Sequence, residues 1–377
     1  MTDLPSLHFE PRIYGVGAWT SHLHFAYDLV AVLKPALLVE LGVDRGESYF
    51  AFCQAAAENQ TGMRCFGIDT WRGDEHAGGY DETTFAQVAG HNRANYESFS
   101  ELQRSSFDDA LARFENQSID VLHLDGLHTE AAVRHDVESW LPKLRAGGIL
   151  LLHDGRVRSK GFGVWKIWAE LQQQSRSWTF EDGPGLGVWQ KPPAQLLPGF
   201  LEELLGPPNE SNERLRKHYT ESSRALQDKI ARHWRDGSIR NTPFAQQTII
   251  QVFFTSDGSH REEDSIYARV GHEDWKEVRI SLPPQAGAAP LRIDFVSALT
   301  TIKIASIRLT QGNAVCFAAD EVTGFDTIRI AGDAERSAGP ALSLRVTGID
   351  PQLYLPIVDL PAGEAPFVLE MRLRVIP

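Results

Sequence analysis

The apolar positions of residues 22–192 switch repeatedly between the spacing of a helix and that of a strand. Residues 22–33 have helical spacing, which ends at Pro35. Extended apolar runs follow at Leu37–Leu41, Arg64–Ile68, Ile119–Leu124 and Ile149–Leu152. A helical face between the last two runs is predicted to end at Gly147 and Gly148; its members are Val133, Val137, Trp140, Leu141 and Leu144. This alternation predicts a parallel sheet covered by helices on both faces.

Two further patterns follow that sheet. The runs 178–181 and 187–190 flank a turn at 182–185, which predicts an antiparallel hairpin at the end of the sheet, and Pro192-Pro193 mark a boundary. Residues 210–234 are charged, with a sparse helical spacing of Leu215, Tyr219, Ser222, Leu226 and Ile230. This helix is either a linker packed on its own chain or a short coiled-coil seam between copies.

From about Thr242 onward the pattern is one of short strands between turn residues. The candidates are 247–254, 265–270, 277–282, 291–295, 302–309, 314–318, 327–330, 341–346, 353–358 and 367–375. Regularly spaced short strands predict a β-sandwich. We therefore expect an α/β domain at residues 1–196, a helical linker at 197–240 and an all-β sandwich at 241–377.

Composition narrows the class of protein. The chain has 377 residues, 42% of them apolar, and a formal net charge of −13, which argues against a nucleic-acid partner because phosphate binding needs a basic surface. The first residues lack the pattern of a signal peptide, and no apolar run is long enough to span a membrane. Cys53, Cys65 and Cys316 have no metal-ligand spacing. We expect a cytoplasmic protein.

A glycine-containing turn follows the first extended run. Gly42 and Gly46 allow the backbone to approach a ligand closely, and Asp69 ends the next extended run, where a carboxylate can hold ribose hydroxyls. Glu40 precedes the first glycine and suits an amine-bearing ligand better than a diphosphate. The alternatives are a structural tight turn and, for Asp69, a helix N-cap.

Two later runs deliver acidic residues at their carboxyl ends, Asp125 and Asp154. Carboxylates from adjacent strand ends can hold a divalent cation, and we expect Mg²⁺. His128 lies three residues beyond Asp125, within reach of a hydroxyl proton as general base. The alternative is that both carboxylates cap helices and that His128 and His153 only hydrogen-bond nearby. His123 alternates with leucines inside its run and is interpreted as a core residue.

Four motifs occur in order: Glu40-Leu-Gly-x-x-x-Gly46, Gly67-Ile-Asp-Thr-Trp71, Asp125-Gly-x-His128 and Lys143 to Asp154. Together they resemble class I S-adenosylmethionine-dependent methyltransferases, in particular the catechol and macrolide-sugar O-methyltransferase-like branch. The resemblance covers about residues 30–192. It implies a Rossmann-like seven-stranded sheet with helices on both faces, ended by an antiparallel hairpin.

The resemblance also assigns roles to residues. Glu40, Gly42, Gly46 and Ser48 would lie at the methionine end of S-adenosyl-L-methionine, Asp69 at the ribose, and Trp71, Ser106 and Phe107 near the adenosine. Asp125 and Asp154 match the metal carboxylates of the family, and His128 matches the base of sugar-methylating members. This chain departs from the pattern at His153, where a further carboxylate is common, and at Gly155. We include His153 among the expected metal ligands.

The segment 72–92 is polar and long, which is typical of a lid or binding loop. We expect it to cover the acceptor, with Asp74, His76 and Tyr80 as acceptor-binding residues. A flexible surface insertion is the alternative.

The β region has a resemblance of its own. Val252 to Gly258, Glu262 to Ile266, Trp275 to Val278 and Leu291 to Phe295 are similar to β-sandwich modules attached to bacterial glycosyltransferases and glycan-modifying enzymes. The resemblance implies a carbohydrate acceptor, or a module that holds a partner enzyme.

The function expected from these patterns is O-methylation of a sugar or glycan hydroxyl. One alternative is a hydroxylase-like relative on the same fold. Another is a scaffold that binds a glycan or a glycosyltransferase and has a weak methyltransferase domain. A homo-oligomer is a further possibility for the partner.

Overall fold

The computed structural model describes residues 4–15, 18–74, 78–79, 82–158, 161–236, 247–254, 265–271, 274–284, 290–296, 301–337, 341–356 and 365–376. Contacts divide the chain into two compact units, Met1–Arg72 with Asp81–Ile230, and Gly73–Tyr80 with Ala231–Pro377. Most of the predicted linker therefore belongs with the first unit. Within the described part of the chain, each helix is too short or too polar to cross a bilayer.

The helices are α1 (Leu23–Leu33), α2 (Glu47–Glu58), α3 (Glu82–Asn95), α4 (Phe107–Ala110), α5 (Glu130–Trp140), α6 (Val164–Gln172), α7 (Phe200–Leu204) and α8 (Glu210–Asp236). The strands up to the end of the predicted hairpin are β1 (Leu37–Leu41), β2 (Arg64–Asp69), β3 (Gly73–Asp74), β4 (Gly78–Gly79), β5 (Ser100–Arg104), β6 (Ile119–Leu124), β7 (Leu144–His153), β8 (Ser177–Phe180) and β9 (Leu186–Gln190). Single 3-10 turns occur at Pro5–His8, Thr20–His22 and Leu111–Arg113.

The sheet of the first unit has seven strands in the order β5-β2-β1-β6-β7-β9-β8. The pairs from β5 to β7 are parallel, whereas β9 runs antiparallel to both β7 and β8. The strand order reverses between β1 and β6, and in such sheets ligands bind outside the carboxyl ends at this switch point. The predicted fold class, a Rossmann-like seven-stranded sheet with a terminal antiparallel hairpin, is confirmed.

One sequence prediction about this sheet was wrong, and one strand was missed. The helical face was expected to run to Gly147, but α5 ends at Trp140 and β7 already begins at Leu144, which pairs with Ile119. Pro142 explains the early end, since proline cannot donate a helical hydrogen bond and its ring obstructs the helical conformation. Strand β5 was not predicted, because its sequence, Ser-Glu-Leu-Gln-Arg, is a polar edge strand without an apolar run.

The expected loop at 72–92 is also shorter than predicted, because α3 begins at Glu82. Val88 and Tyr96 are fully buried on one side of this segment. Phe85 packs against the Trp71 ring with centroids 4.8 Å apart. Phe85, Val88 and, just after the helix, Tyr96 are spaced three and eight residues apart and hold this segment against the first unit, although its sequence is otherwise polar.

Helix α8 packs on its own chain over residues 215–226. Leu215, Tyr219 and Leu226 are buried there. The Tyr219 ring contacts Phe25, Phe180 and Phe200, and its hydroxyl donates a hydrogen bond to Asp28 Oδ2 at 2.9 Å. The sequence alone left two alternatives for the apolar face of α8, packing on its own chain or a coiled-coil seam between copies. These contacts bury that face within the first unit.

The second unit is antiparallel. Its strands are β10 (Gln247–Phe253), β11 (Ser265–Gly271), β12 (Lys276–Leu282), β13 (Arg292–Val296), β14 (Thr301–Gln311), β15 (Ala314–Asp320), β16 (Arg329–Ser337), β17 (Leu342–Tyr354) and β18 (Phe367–Ile376). They form one hydrogen-bonded sheet in the order β11-β10-β13-β17-β14-β18-β12, with β15 on β14 and β16 on β17. Strand β17 joins two predicted strands because it changes partner from β14 to β13 along its length. The nine strands enclose one apolar core.

The contact between Tyr219 and Asp28 gives a stability prediction. Asp28 is buried and also accepts hydrogen bonds from Ser6 N and Oγ at 2.6 and 2.7 Å. Tyr219→Phe leaves one of its acceptor sites without a donor, so we expect the free energy of unfolding to fall by about 1–3 kcal/mol in urea titrations. Tyr27→Phe is the control, because that hydroxyl bonds to the partly exposed Glu58 and should matter less. Equal losses in both variants would contradict the packing of α8 described here.

Candidate active site

The turn after β1 is shaped by close contact with the strand beside it. Gly42 has φ +89°, and a Cβ at this position would lie 2.0 Å from the carbonyl oxygen of Asp125. Asp125 N donates to Leu41 O at 2.8 Å, and Gly42 N donates to Ile68 O at 2.9 Å. Gly46, with φ +79°, lies against the Phe50 ring at the start of α2. Both glycines are thus required by the backbone path itself.

Asp69 fastens this turn to the end of β2. Its Oδ2 accepts hydrogen bonds from Val43 N and Asp44 N, both at 2.9 Å, and its Oδ1 accepts one from Trp71 N at 2.8 Å. Burial raises the pKa of the Asp69 carboxyl, and these donors oppose the shift. Asp69 keeps partial exposure at the carboxyl end of β2, and its expected contact with a ribose stays a prediction. Because Asp69 binds amides of the Gly42 turn and of Trp71, it does not act as a helix N-cap.

The buried side chain of Trp71 packs against the turn after β1. Its side chain is 1% exposed, and its Nε1 donates to Asp44 O at 2.8 Å. Asp44, Trp71 and Asp154 all have positive φ, at 48°, 47° and 60°. Such backbone conformations are costly for residues other than glycine and gather at functional sites. Contact of Trp71 with adenosine stays a prediction.

Glu40 lies beneath the turn. It is fully buried; its Oε1 accepts a hydrogen bond from Ser48 Oγ at 2.8 Å, and its Oε2 lies 3.1 Å from His123 Nδ1. Burial raises the pKa of Glu40, while His123 and Ser48 lower it. Glu40 and Ser48 thus contact each other, and their expected contact with the methionine end of a cofactor stays a prediction.

Ser106 and Phe107 lie at the start of α4. Ser106 is the N-cap, whose Oγ accepts from Asp109 N at 3.1 Å. Phe107 is half-buried and lies against Gly126, where a Cβ would be 2.5 Å from the ring. The ring therefore borders the loop that carries Asp125, a position compatible with the expected adenine contact.

The strand-end set consists of Asp125, His128, His153 and Asp154. His128 Nε2 lies 2.8 Å from Asp154 Oδ2 and 3.4 Å from Asp125 Oδ1. His153 Nδ1 lies 3.2 Å from Asp125 Oδ1 and 3.1 Å from Asp154 Oδ2. Each imidazole therefore contacts both carboxylates. His128 is the more accessible of the two, with 15% of its side chain exposed against 1% for His153, and it stacks on Phe162 at 4.5 Å.

This set has strongly perturbed pKa values. Burial alone would lower the pKa of His128, but the charge of Asp154 and the hydrogen bonds to both carboxylates raise it to about 10. Burial opposes the same charges at His153, whose pKa is also raised well above its usual range. Burial would raise the pKa values of Asp125 and Asp154, but the adjacent histidines hold both well below the usual range. The two carboxylates thus favour the protonated imidazoles, and the imidazoles favour the ionised carboxylates.

The donor atoms of Asp125, His128 and Asp154 all lie within 4.8 Å of one another, a spacing that can hold a metal ion. The donor set of two carboxylates and one imidazole fits a divalent cation. His153 is not part of this group and holds the carboxylates from the buried side.

Sequence reasoning missed a segment that packs behind this set. Glu47 accepts hydrogen bonds from Gly15 N, Trp19 N and Thr20 Oγ1 at 2.6, 3.0 and 2.6 Å. Trp19 is thereby held with its ring 4.8 Å from His123 and 5.7 Å from His153. The acidic residue directly after Gly46 was the available signal, but a first-turn acid is common in helices.

The acceptor residues predicted from the sequence fall at the margin of what the structure describes. His76 and Tyr80 lie outside the described residues, and Asp74 is described only as backbone in β3. Their role stays a prediction.

Residues 39–155 match the family model described as a methyltransferase domain, so the first unit contains such a domain. Among curated proteins, the uncharacterised protein y4gI of Sinorhizobium fredii is 44% identical over 191 residues, which is 50% of this chain but only 20% of that protein. A methyltransferase of Geobacter sulfurreducens has 18% identity, with 45% of this chain and 78% of that one covered and a TM-score of 0.35. The O-methyltransferase TomG of Streptomyces achromogenes has 14% identity, 45% and 86% coverage and a TM-score of 0.34.

The close approach at Gly42 predicts a large effect of one methyl group. Gly42→Ala adds both the strain of positive φ and a clash with the Asp125 carbonyl, whereas Gly62→Ala, with φ +75° and no atom within 4 Å of the added Cβ, adds only the strain. We expect Gly42→Ala to lower the free energy of unfolding by about 1–3 kcal/mol more than the control, as measured in urea. Equal losses would show that the turn can move away from Asp125.

The histidine set predicts a pH dependence of stability without added metal. The pKa of His128 is raised to about 10 in the folded protein from 6.5, so its contribution is full below about pH 6.5 and disappears as the pH rises through 10. In EDTA, the difference in melting temperature between the wild type and His128→Asn should therefore be largest near pH 6 and shrink toward pH 10. The control is His135→Asn, at an exposed ion pair with Asp108. A difference that grows with pH would contradict the charge state assigned to His128.

Proposed function

We propose that the protein is an S-adenosyl-L-methionine-dependent O-methyltransferase that methylates a hydroxyl of a sugar or glycan. The observation that carries this proposal is the cluster of Asp125, His128 and Asp154 at the carboxyl ends of β6 and β7, within a methyltransferase domain. Asp69 and the Gly42 turn lie at the ends of the neighbouring strands, where a nucleoside binds in folds of this kind.

Methyl transfer breaks the bond between sulfur and the methyl carbon and forms a bond between that carbon and the acceptor oxygen. S-adenosyl-L-methionine supplies the activated methyl group when bound, and the chain must orient the hydroxyl and take its proton. His128 Nε2 is the candidate acceptor of that proton, because it faces both carboxylates and belongs to the more exposed imidazole of the set.

A proton-accepting role requires neutral His128. Asp125 and Asp154 now stabilise its imidazolium form. A divalent cation on the two carboxylates would replace that positive charge and lower the pKa of His128, as well as bind the acceptor oxygen. The same nitrogen cannot both bind the metal and accept the proton, so the proposal assigns the metal to oxygen ligands, which Mg²⁺ prefers.

The sugar acceptor is supported by two resemblances: that of residues 30–192 to catechol and macrolide-sugar O-methyltransferases, and that of the β region to modules attached to bacterial glycosyltransferases and glycan-modifying enzymes. The hydroxyl chemistry is supported by the candidate base and the carboxylates. We also propose Glu40, Gly42, Gly46, Ser48, Trp71, Ser106 and Phe107 as the surroundings of the cofactor. Asp74, His76 and Tyr80 remain the proposed acceptor contacts.

The test measures S-adenosyl-L-methionine binding by calorimetry and S-adenosylhomocysteine release with nucleotide-activated sugars and lipopolysaccharide oligosaccharides. His128→Gln should reduce turnover by about 10²- to 10⁴-fold and leave cofactor binding unchanged. His135→Gln, at the exposed ion pair with Asp108, should change neither. Mg²⁺ should support turnover, and Zn²⁺, which accepts imidazole nitrogen, should inhibit it.

Each arm can contradict a separate part of the proposal. Without cofactor binding by the wild type, methyl transfer fails at its first step. Turnover retained in His128→Gln would contradict the assignment of His128 as the base. Failure of every sugar to support turnover would contradict a sugar as the acceptor.

A further inference from the structure

The outward face of β12, β18 and β14 in the second unit carries an excess of positive charge. Side chains on these strands alternate between the core and the exterior. The charged exterior side chains are Glu277 and Arg279 on β12, Glu370, Arg372 and Arg374 on β18, and Lys303 and Arg308 on β14. Cations outnumber carboxylates here, although the whole chain has a net charge of −13.

Most of these charges face an opposite charge across the sheet. Glu370 is paired in register with Arg279 on one side and Arg308 on the other, and its carboxylate lies 3.7 Å from Arg279 Nε. Arg372 is in register with Glu277. Such cross-strand pairs stabilise a solvent-facing sheet and require no ligand.

Lys303 and Arg374 break this pattern. They are direct register partners on β14 and β18, so two like charges face each other. Neither forms an ion pair with any of the residues described, and Arg374 Nε is buried without a hydrogen-bond acceptor among them. Like charges directly opposite are destabilising, and an unsatisfied buried donor adds a further cost. An anion between the two side chains would remove both costs.

An exposed aromatic ring lies at the same end of the face. Trp275 directly precedes β12, whose first residue, Lys276, is in register with Leu373, the neighbour of Arg374. Its side chain is 38% exposed, and the guanidinium of Arg372 lies 5.5 Å from the ring centroid. An exposed indole offers a flat apolar surface for the face of a sugar ring.

We propose that Trp275, Lys303, Arg372 and Arg374 form a binding site for an anionic saccharide, with its carboxylate at Lys303 and Arg374 and a sugar ring on Trp275. The site lies wholly in the second unit, and its existence does not depend on methyl transfer by the first. Nucleic acid fits less well, because the cations cover a small area of an acidic chain and phosphate tracking needs an extended basic surface.

The test is calorimetry of the full chain at low salt with oligogalacturonate, and with neutral galactan oligosaccharide as the matched ligand. The wild type should bind oligogalacturonate, more weakly as salt is added, and should not bind the neutral ligand. Lys303→Gln and Arg374→Gln should each weaken binding by about tenfold or more, as expected for loss of a charge-assisted hydrogen bond. Trp275→Ala should also weaken it.

Arg308→Gln is the control variant, because it removes the same charge from the same face at a position already opposed by Glu370. It should change binding by less than about twofold. Lys303→Gln relieves repulsion, so its melting temperature should not fall below that of the wild type, which separates lost binding from lost folding.

The proposal is overturned if the wild type binds no oligogalacturonate at millimolar concentration, or if Arg308→Gln weakens binding as much as Lys303→Gln. It is also overturned if a single-stranded oligonucleotide binds more tightly than the uronate.

Discussion

The approach of the Gly42 turn to the backbone of Asp125 is the contact on which the candidate active site depends. The amide of Asp125 donates a hydrogen bond to Leu41 O, which links the end of β6 to the end of β1. The amide of Gly42 donates to Ile68 O, which links the end of β1 to the end of β2. Asp69 then binds the next two amides of the same turn. One turn without room for a Cβ thereby fixes both the carboxylate of β2 and Asp125, the first carboxylate of the strand-end set.

The central strands could be predicted from the sequence because burial on both faces makes them continuous apolar runs. Strands β1 and β6 begin and end at the predicted residues. The failures lie where tertiary pairing overrides the local pattern. The segment Ser100–Arg104 is polar, and it forms a strand because it pairs with the backbone of β2. Leu144 fits a helical face equally well, and the pairing with Ile119 makes it part of β7.

The site residues show the same division. Position at a strand end, which sequence reveals, was enough to bring Asp125, His128 and Asp154 into one group. Sequence could not reveal that Glu40 is fully buried against Ser48 and His123, since that depends on how α2 packs and on the register of β6, which places His123 beside Glu40. Likewise, Asp69 was expected to face a ligand or cap a helix, and its contacts with a turn 25 and 26 residues earlier come only from the fold.

Both units bring like charges together, and they differ in what supplies the opposite charge. Asp125 and Asp154 both contact the imidazoles of His128 and His153, which favour the ionised carboxylates and so compensate their repulsion within the protein. A cation bound at the two carboxylates could take over this compensation, because its charge would favour loss of the imidazole proton. Lys303 and Arg374 face each other across two strands without a carboxylate in register. A solvated sheet face offers water and ions in place of a counter-charge, which reduces the repulsion without removing it. An anionic ligand gains most where the protein has left the charge uncompensated, whereas Arg279 and Arg308 already share Glu370 and have less to offer.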